Sequence, residues 1–192
     1  RHSEEAHILF DLADLATQRG DLGGAAVLYA QGQAICAEIA DALGVGTCAL
    51  GLARVAFQGG DVEGAQRRVA EARAVFEAHG RQALVMECTH LLGGIARLRC
   101  DRESAERHYG QALAFYDAVG SGNAPHVRLS RAFMNIALAM FDDARMQLDK
   151  CMAAFVASGE RDDQGRAHAA FLALAAAGAD WDAWDVHLTA ST

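Results

Sequence analysis

Apolar residues along this chain recur at helical spacing, and the same set returns every 40 residues. Leu12, Leu15 and Ala16 superpose on Leu52, Val55 and Ala56, then on Leu92, Ile95 and Ala96, and later on Phe171, Leu174 and Ala175. Spacing of i, i+3, i+4 places each set on one face of an α-helix. A second stripe follows each one. Ala65, Val69, Ala72 and Phe76 match Ala105, Tyr109, Ala112 and Tyr116, and then Ala144, Leu148, Cys151 and Phe155. Between the two stripes stand Asp21, Asp61, Asp101 and Asp180, each four residues before the slot held by Ala25, Ala65, Ala105 and Trp184.

Each repeat therefore reads as helix A, a tight turn and helix B. In Gly20-Asp21 and Gly60-Asp61 the glycine ends helix A in the left-handed conformation and the aspartate caps helix B. Gly80, Gly120 and Gly159 recur where helix B must stop. The predicted pairs are 4–19 and 22–41, 44–58 and 62–79, 82–99 and 102–119, 125–139 and 142–158, and a partial fifth at 162–177 and 181–192. The expected organisation is one repeat domain over 1–192, with repeats at 4–41, 44–79, 82–119, 125–158 and 162–192. The fourth repeat is one residue short. Placing the deletion in its A–B turn puts Leu129, Ala132, Phe133 and Ile136 on the buried face, whereas an earlier deletion would put Arg128 and Arg131 there. Pro125 suits a first helical turn, where its missing N–H costs nothing.

Composition sharpens the picture. Of 192 residues 42 are alanine, so the 52% hydrophobic content describes a close-packed helical protein with few large side chains. A single proline nearly excludes an all-β fold. The net charge of −8 argues against nucleic-acid or anionic-membrane binding, which need clustered positive charge. The small basic run Arg67, Arg68 and Arg73 is interleaved with Glu63, Glu71 and Glu77, as on a solvated ion-paired face. No apolar run approaches the ~20 residues of a membrane span. The chain starts Arg1-His2-Ser3 without a methionine, so we expect a piece of a longer polypeptide. Five dispersed cysteines, Cys36, Cys48, Cys88, Cys100 and Cys151, form no disulfide framework. They are expected as buried free thiols in a reducing, cytoplasmic setting.

The helix–turn–helix unit resembles the tetratricopeptide repeat. Leu12-Ala13, Leu52-Ala53 and Leu92-Gly93 on helix A, the small residues Ala16, Ala56 and Ala96 one turn on, and Asp-x-x-x-Ala opening helix B carry the likeness. The resemblance implies an all-α, right-handed superhelical solenoid of antiparallel helix pairs. The period exceeds the family's ~34 residues, as in long-repeat arms of bacterial signalling proteins, and HEAT-type repeats are the alternative fold. In the resembled family the A helices line a concave groove that holds peptides. The corresponding stripe here is His7, Phe10, Asp14 and Thr17; Thr47, Leu50, Arg54 and Phe57; Glu87, His90, Gly94 and Arg97; then Val127, Ser130, Met134 and Ala137. Phe10, Leu50, Phe57 and Met134 supply apolar contact, and Arg54 and Arg97 could grip a carboxylate bidentately. The expected ligand is a protein or a peptide, acidic or carboxylate-ended and carrying a large apolar residue.

Phosphate-binding, dinucleotide, zinc-protease and nucleophile-elbow motifs are all missing, so no catalytic residue, cofactor or metal is assigned. Cys88 and His90 point about 200° apart on a helix and cannot easily share an ion. Asp180, Asp182 and Asp185 read as the capped, dipole-favoured start of the last helix, with Trp184 packed in the alanine slot. The chain thus reads as a non-enzymatic protein- or peptide-binding module, the regulatory or scaffolding arm of a larger bacterial signalling protein. Self-association of the parent, giving a homo-oligomer, is the alternative.

Overall fold

The structure, a computed structural model, describes residues 2–190. It contains ten helices and, among the described residues, no strand: α1 (His2–Gln18), α2 (Leu22–Glu38), α3 (Ala42–Gln58), α4 (Val62–Ala78), α5 (Gln82–Leu98), α6 (Arg102–Val119), α7 (Ala124–Ala137), α8 (Phe141–Ser158), α9 (Arg161–Gly178) and α10 (Trp181–Ala190). Consecutive helices are antiparallel, joined by turns of two or three residues except before α7. None is long and apolar enough to cross a membrane. Ser191 and Thr192, expected in the last helix, lie outside the described residues.

One conformational rule makes the turns. Each carries a single residue with positive φ: Gly20, Ala40, Gly60, Gly80, Cys100, Gly120, Ala139, Gly159 and Ala179. The carbonyl left open near the helix end then accepts from the residue after it, as in Asp21 N–H to Ala16 O at 2.9 Å and Asp61 N–H to Ala56 O at 2.9 Å. The aspartate then caps the next helix: Asp21, Asp41, Asp61, Asp101 and Asp180 accept from the backbone N–H three residues on at 2.8–3.1 Å. Gly24, Gly44 and Gly64 stand at that third position because an added Cβ would come within 2.0–2.6 Å of the capping carboxylate.

Two boundaries differ from the expected ones for a physical reason. The second helix ends at Glu38, not residue 41, because Ala40 takes the left-handed conformation where later repeats have glycine. Asp41 consequently caps α3, which begins at Ala42. The fourth repeat is a correction of register. Its A–B turn is complete: Ala139 repeats the left-handed Cys100, and Met140 N–H reaches Asn135 O at 2.8 Å as Asp101 N–H reaches Ala96 O at 2.9 Å. The shortening lies in the helix instead, 14 residues in α7 against 17 in α5. Leu129 and Ala132 are buried and Ile136 half-buried as expected, but Phe133 is exposed, and Val127 and Met134 point into the core. Arg128 and Arg131 are half-buried on the side that an earlier deletion predicts.

The chain forms two compact units that divide within α6, after Ala105. In the first, Ala49, Leu50, Val69, Phe76, Val85, Cys88 and Ile95 make the largest core, and Ala13, Ala25, Tyr29 and Val55 make a second. In the second unit Leu129, Leu148, Phe155, Ala170, Phe171 and Leu174 pack together between α7, α8 and α9.

Candidate functional site

The expected binding stripe lies on the A helices of the first unit, and its members turn out to hold one another. Asp14 on α1 accepts a hydrogen bond from the Tyr29 hydroxyl on α2. Burial first, then the Asp14 carboxylate, raises that phenol's pKa well above its ordinary value. The Tyr29 ring lies edge-on to Phe10, centroids 5.8 Å apart. Its other side rests on the α3 backbone at Gly51, where a Cβ would sit 2.3 Å from the ring. One repeat along, Arg54 Nη2 meets Glu87 Oε2 at 2.5 Å, an ion pair from α3 to α5. The half-buried Phe57 covers Gly94, whose missing Cβ would come 2.9 Å from the ring. Phe10, Asp14, Tyr29, Arg54, Phe57 and Glu87 thus form a pinned row of side chains.

Three expectations are corrected by this geometry. Leu50 is 2% exposed and Met134 3%, so both belong to the core and cannot line a groove. The cause is close packing: seven residues of α3, spread around most of its circumference, are buried. Arg54 is already neutralised by Glu87 and does not stand beside Arg97 as a free second guanidinium. Arg97 itself is half-buried, with its Nε buried and without a hydrogen-bond partner. His90 is half-buried on the same helix.

Beside this row opens a cleft of about 360 Å³ between α1, α2 and α3. His7, Phe10 and Thr47 of the expected stripe line it, together with Ala6, Leu43, Asp41 and the thiols Cys36 and Cys48. The two thiols are within hydrogen-bonding reach of each other, and desolvation raises the pKa of both, that of Cys48 to about 12. The reciprocal fit of Cys36 over Gly44 and Cys48 over Gly32 sets this pairing. Tyr29 was equally hidden, because its slot holds Val69, Tyr109 and Leu148 elsewhere and reads as core. Cys100 departs from the expected buried thiol: it occupies a turn and is exposed.

The basic run on α4 is ion-paired as expected, Arg68 to Glu71 at 3.2 Å and Arg73 to Glu77 at 2.7 Å. In the second unit His126, Glu160 and Asp163 form the one group of three metal-ligating side chains among the described residues. His126 Nδ1 lies 3.6 Å from Asp163 and Nε2 3.7 Å from Glu160, and its ring tilts over Phe155. An imidazole and two carboxylates could hold a divalent cation. However, both carboxylates sit at the N-terminal end of α9, whose dipole favours them, and Arg166 already pairs with Asp163 at 2.9 Å. The cluster brings the start of α7 and the start of α9 together.

No family model matches the chain, and no curated protein matches its sequence. Solved structures do match. A Rap protein in complex with Competence and Sporulation Factor aligns over 97% of this chain with TM-score 0.84 and 11% identity. BtubC from P. vanneervenii aligns over 99% with TM-score 0.70 and 16% identity, covering 86% of that chain. The present chain spans about half the Rap protein, 53% of it. At these identities the likeness is one of fold, an all-α array of antiparallel helix pairs such as the tetratricopeptide resemblance implies.

Proposed function

We propose that the chain is a non-enzymatic protein- or peptide-binding module, the cytoplasmic regulatory or scaffolding arm of a larger bacterial signalling protein. One observation carries the reading: an apolar-walled cleft opens beside a row of A-helix side chains that are already fixed in place. A preorganised surface loses little side-chain freedom when a ligand arrives, which favours binding. Phe10 offers apolar contact at the cleft, and His7 and Thr47 offer polar atoms there. Farther along the A helices, Arg97 is the cation that a ligand carboxylate would seek, and Phe57, lying over Gly94 of the same helix, offers apolar surface. An acidic or carboxylate-ended peptide with one large apolar side chain fits this combination. The Rap structure, solved with a bound factor, supports a binding role for the fold.

The test is a peptide-array screen followed by titration of the best binder against three variants. Arg97→Glu and Phe10→Ala should each weaken binding at least tenfold while the helical circular-dichroism signal persists. Glu87→Gln, which releases Arg54, should tighten an acidic peptide. Unchanged affinity in both Arg97→Glu and Phe10→Ala would remove the A-helix face as the site.

A further inference from the structure

One position on the B helices is aromatic in three successive repeats. Phe76, Tyr116 and Phe155 occupy it, and none is more than 1% exposed. In the first repeat the same position is Cys36, while the stripe before it, Ala25, Tyr29 and Gly32, keeps the register of Ala65, Val69 and Ala72. The packing around Phe76 shows what the ring meets. It lies against α3 at Gly46, where an added Cβ would come 3.0 Å from it, and Leu84 of α5 packs in the same core. The counterparts of Gly46 and Leu84 one repeat earlier are Ala6 and Gly44. Gly44 lies directly against the Cys36 sulfur. Two large side chains that share a core in the second repeat are thus both small in the first.

The space they leave is the cleft of about 360 Å³, with Ala6, Cys36 and Gly44 in its lining and Phe10 and Leu43 adding apolar wall. It results from missing bulk between packed helices, not from an uncovered helix face. Its volume falls within the ~300–1,000 Å³ of ligand pockets, which are likewise apolar with a few polar groups. His7 and Thr47 supply those groups here, for a phenol hydroxyl or an indole N–H.

We propose that this cleft is the subsite for one aromatic side chain of the bound peptide, which enters beside Cys36 the place that Phe76 fills one repeat later. The proposal rests on the binding-module reading above and adds to it the identity and location of the large apolar residue. Charge agrees with an uncharged ring. Asp41 is the one carboxylate in the lining. Burial first, and then the Asp41 charge, raises the Cys36 thiol pKa, so that charge is felt inside the cleft. A ligand carboxylate is repelled there and drawn instead to Arg97 on α5, which leaves the ring for the first repeat.

The experiment has two arms, both on the 192-residue chain. In the first, indole is titrated and amide shifts are followed by NMR. In the wild type the shifts should saturate and centre on Phe10, Cys36 and Thr47. Cys36→Phe, which returns the ring of the other repeats to the slot, should abolish them while the helical circular-dichroism signal persists. In the second arm the best binder from the peptide array is compared with copies in which each aromatic residue in turn becomes alanine. One such copy should bind the wild type at least tenfold more weakly, the scale of a truncated anchor. The same replacement should change nothing in Cys36→Phe, whose slot is already occupied. Indole shifts that do not saturate overturn the proposal. So does a binder that lacks an aromatic residue or keeps its affinity when each is replaced, or a loss equal in the two proteins. Those results leave the A-helix reading standing, whereas an array without any binder defeats that reading and the proposal with it. Should Cys36→Phe fail to fold, Thr47→Phe closes the same cleft from α3 and takes its place in both arms.

Discussion

Replacing Gly51 by alanine should destabilise the first unit, although alanine is the better helix former. An added Cβ would stand 2.3 Å from Tyr29 Cε1 and 2.5 Å from Cζ, well inside van der Waals contact. The ring has little room to retreat: its hydroxyl is tied to Asp14, Phe10 abuts it, and Tyr29 is 1% exposed. Overpacking a fixed core side chain costs about 1–3 kcal/mol, and a ring held on three sides belongs at the upper end. The gain in helix propensity returns about 1 kcal/mol, leaving a net loss of about 2 kcal/mol. For a chain of this size that lowers the melting midpoint by about 4–8 °C. Gly165, inside α9, supplies the control: nothing lies within 4 Å of its added Cβ, so Gly165→Ala should raise the midpoint by about 2–4 °C. Thermal melts followed at 222 nm measure both. Stabilisation by Gly51→Ala comparable to that by Gly165→Ala would refute the claim that the Tyr29 ring is pinned against α3.

Two further outcomes follow from titratable groups. Burial raises the thiol pKa of Cys48 and Cys88 to about 12 and that of Cys151 to about 11, from an ordinary value of 9.0. At neutral pH a disulfide reagent should therefore modify Cys100 alone in the native protein and all five thiols after denaturation. Because the unfolded thiols ionise first, stability is intact below pH 9 and falls progressively from there towards pH 12; a flat urea midpoint across that range would contradict it. His187 on α10 stacks on Phe171 of α9 at 4.3 Å, and its pKa is lowered by desolvation and then by His168. A lowered base pKa favours the neutral ring in the folded state, so docking of α10 is complete above about pH 6.5 and loosens as acid protonates the imidazole. Fluorescence of Trp181 and Trp184 should report that loosening, and His187→Phe should abolish its pH dependence.

The 40-residue period, the aspartate caps and the helix pairs were legible because each rests on short-range chemistry: 3.6-residue periodicity, a side chain reaching an N–H three residues on, a glycine at a helix end. The left-handed conformations of Ala40, Cys100, Ala139 and Ala179 escaped because nothing in an alanine or cysteine announces them. The fourth repeat misled for a related reason. An apolar pattern alone cannot tell a shortened turn from a shortened helix, and it penalised the half-buried Arg128, which in fact reaches Asp117 on α6 at 2.6 Å. The groove stripe was half legible. The resemblance placed Asp14, Arg54 and Glu87 on one stripe of successive A helices as ligand contacts. It could not show that Arg54 and Glu87 neutralise each other, or that α3 is buried on so many sides that Leu50 has no access to solvent.

The capping carboxylates that fill the space of a missing Cβ make two positions behave as one. Where glycine stands third after the aspartate, at residues 24, 44 and 64, the cap distances are 2.9, 3.0 and 2.8 Å. Where a side chain stands there, at Ser104 and Ala183, the same bond is 3.1 Å. Substitutions along this chain are accordingly not independent at the start of a helix. Loss of the aspartate frees the glycine to become any good helix former, whereas a side chain at the third position leaves the cap in place, as Asp101 with Ser104 and Asp180 with Ala183 show. Divergence between repeats should accordingly proceed by paired steps at these joints, with the earlier repeats, which keep both members, drifting most slowly there.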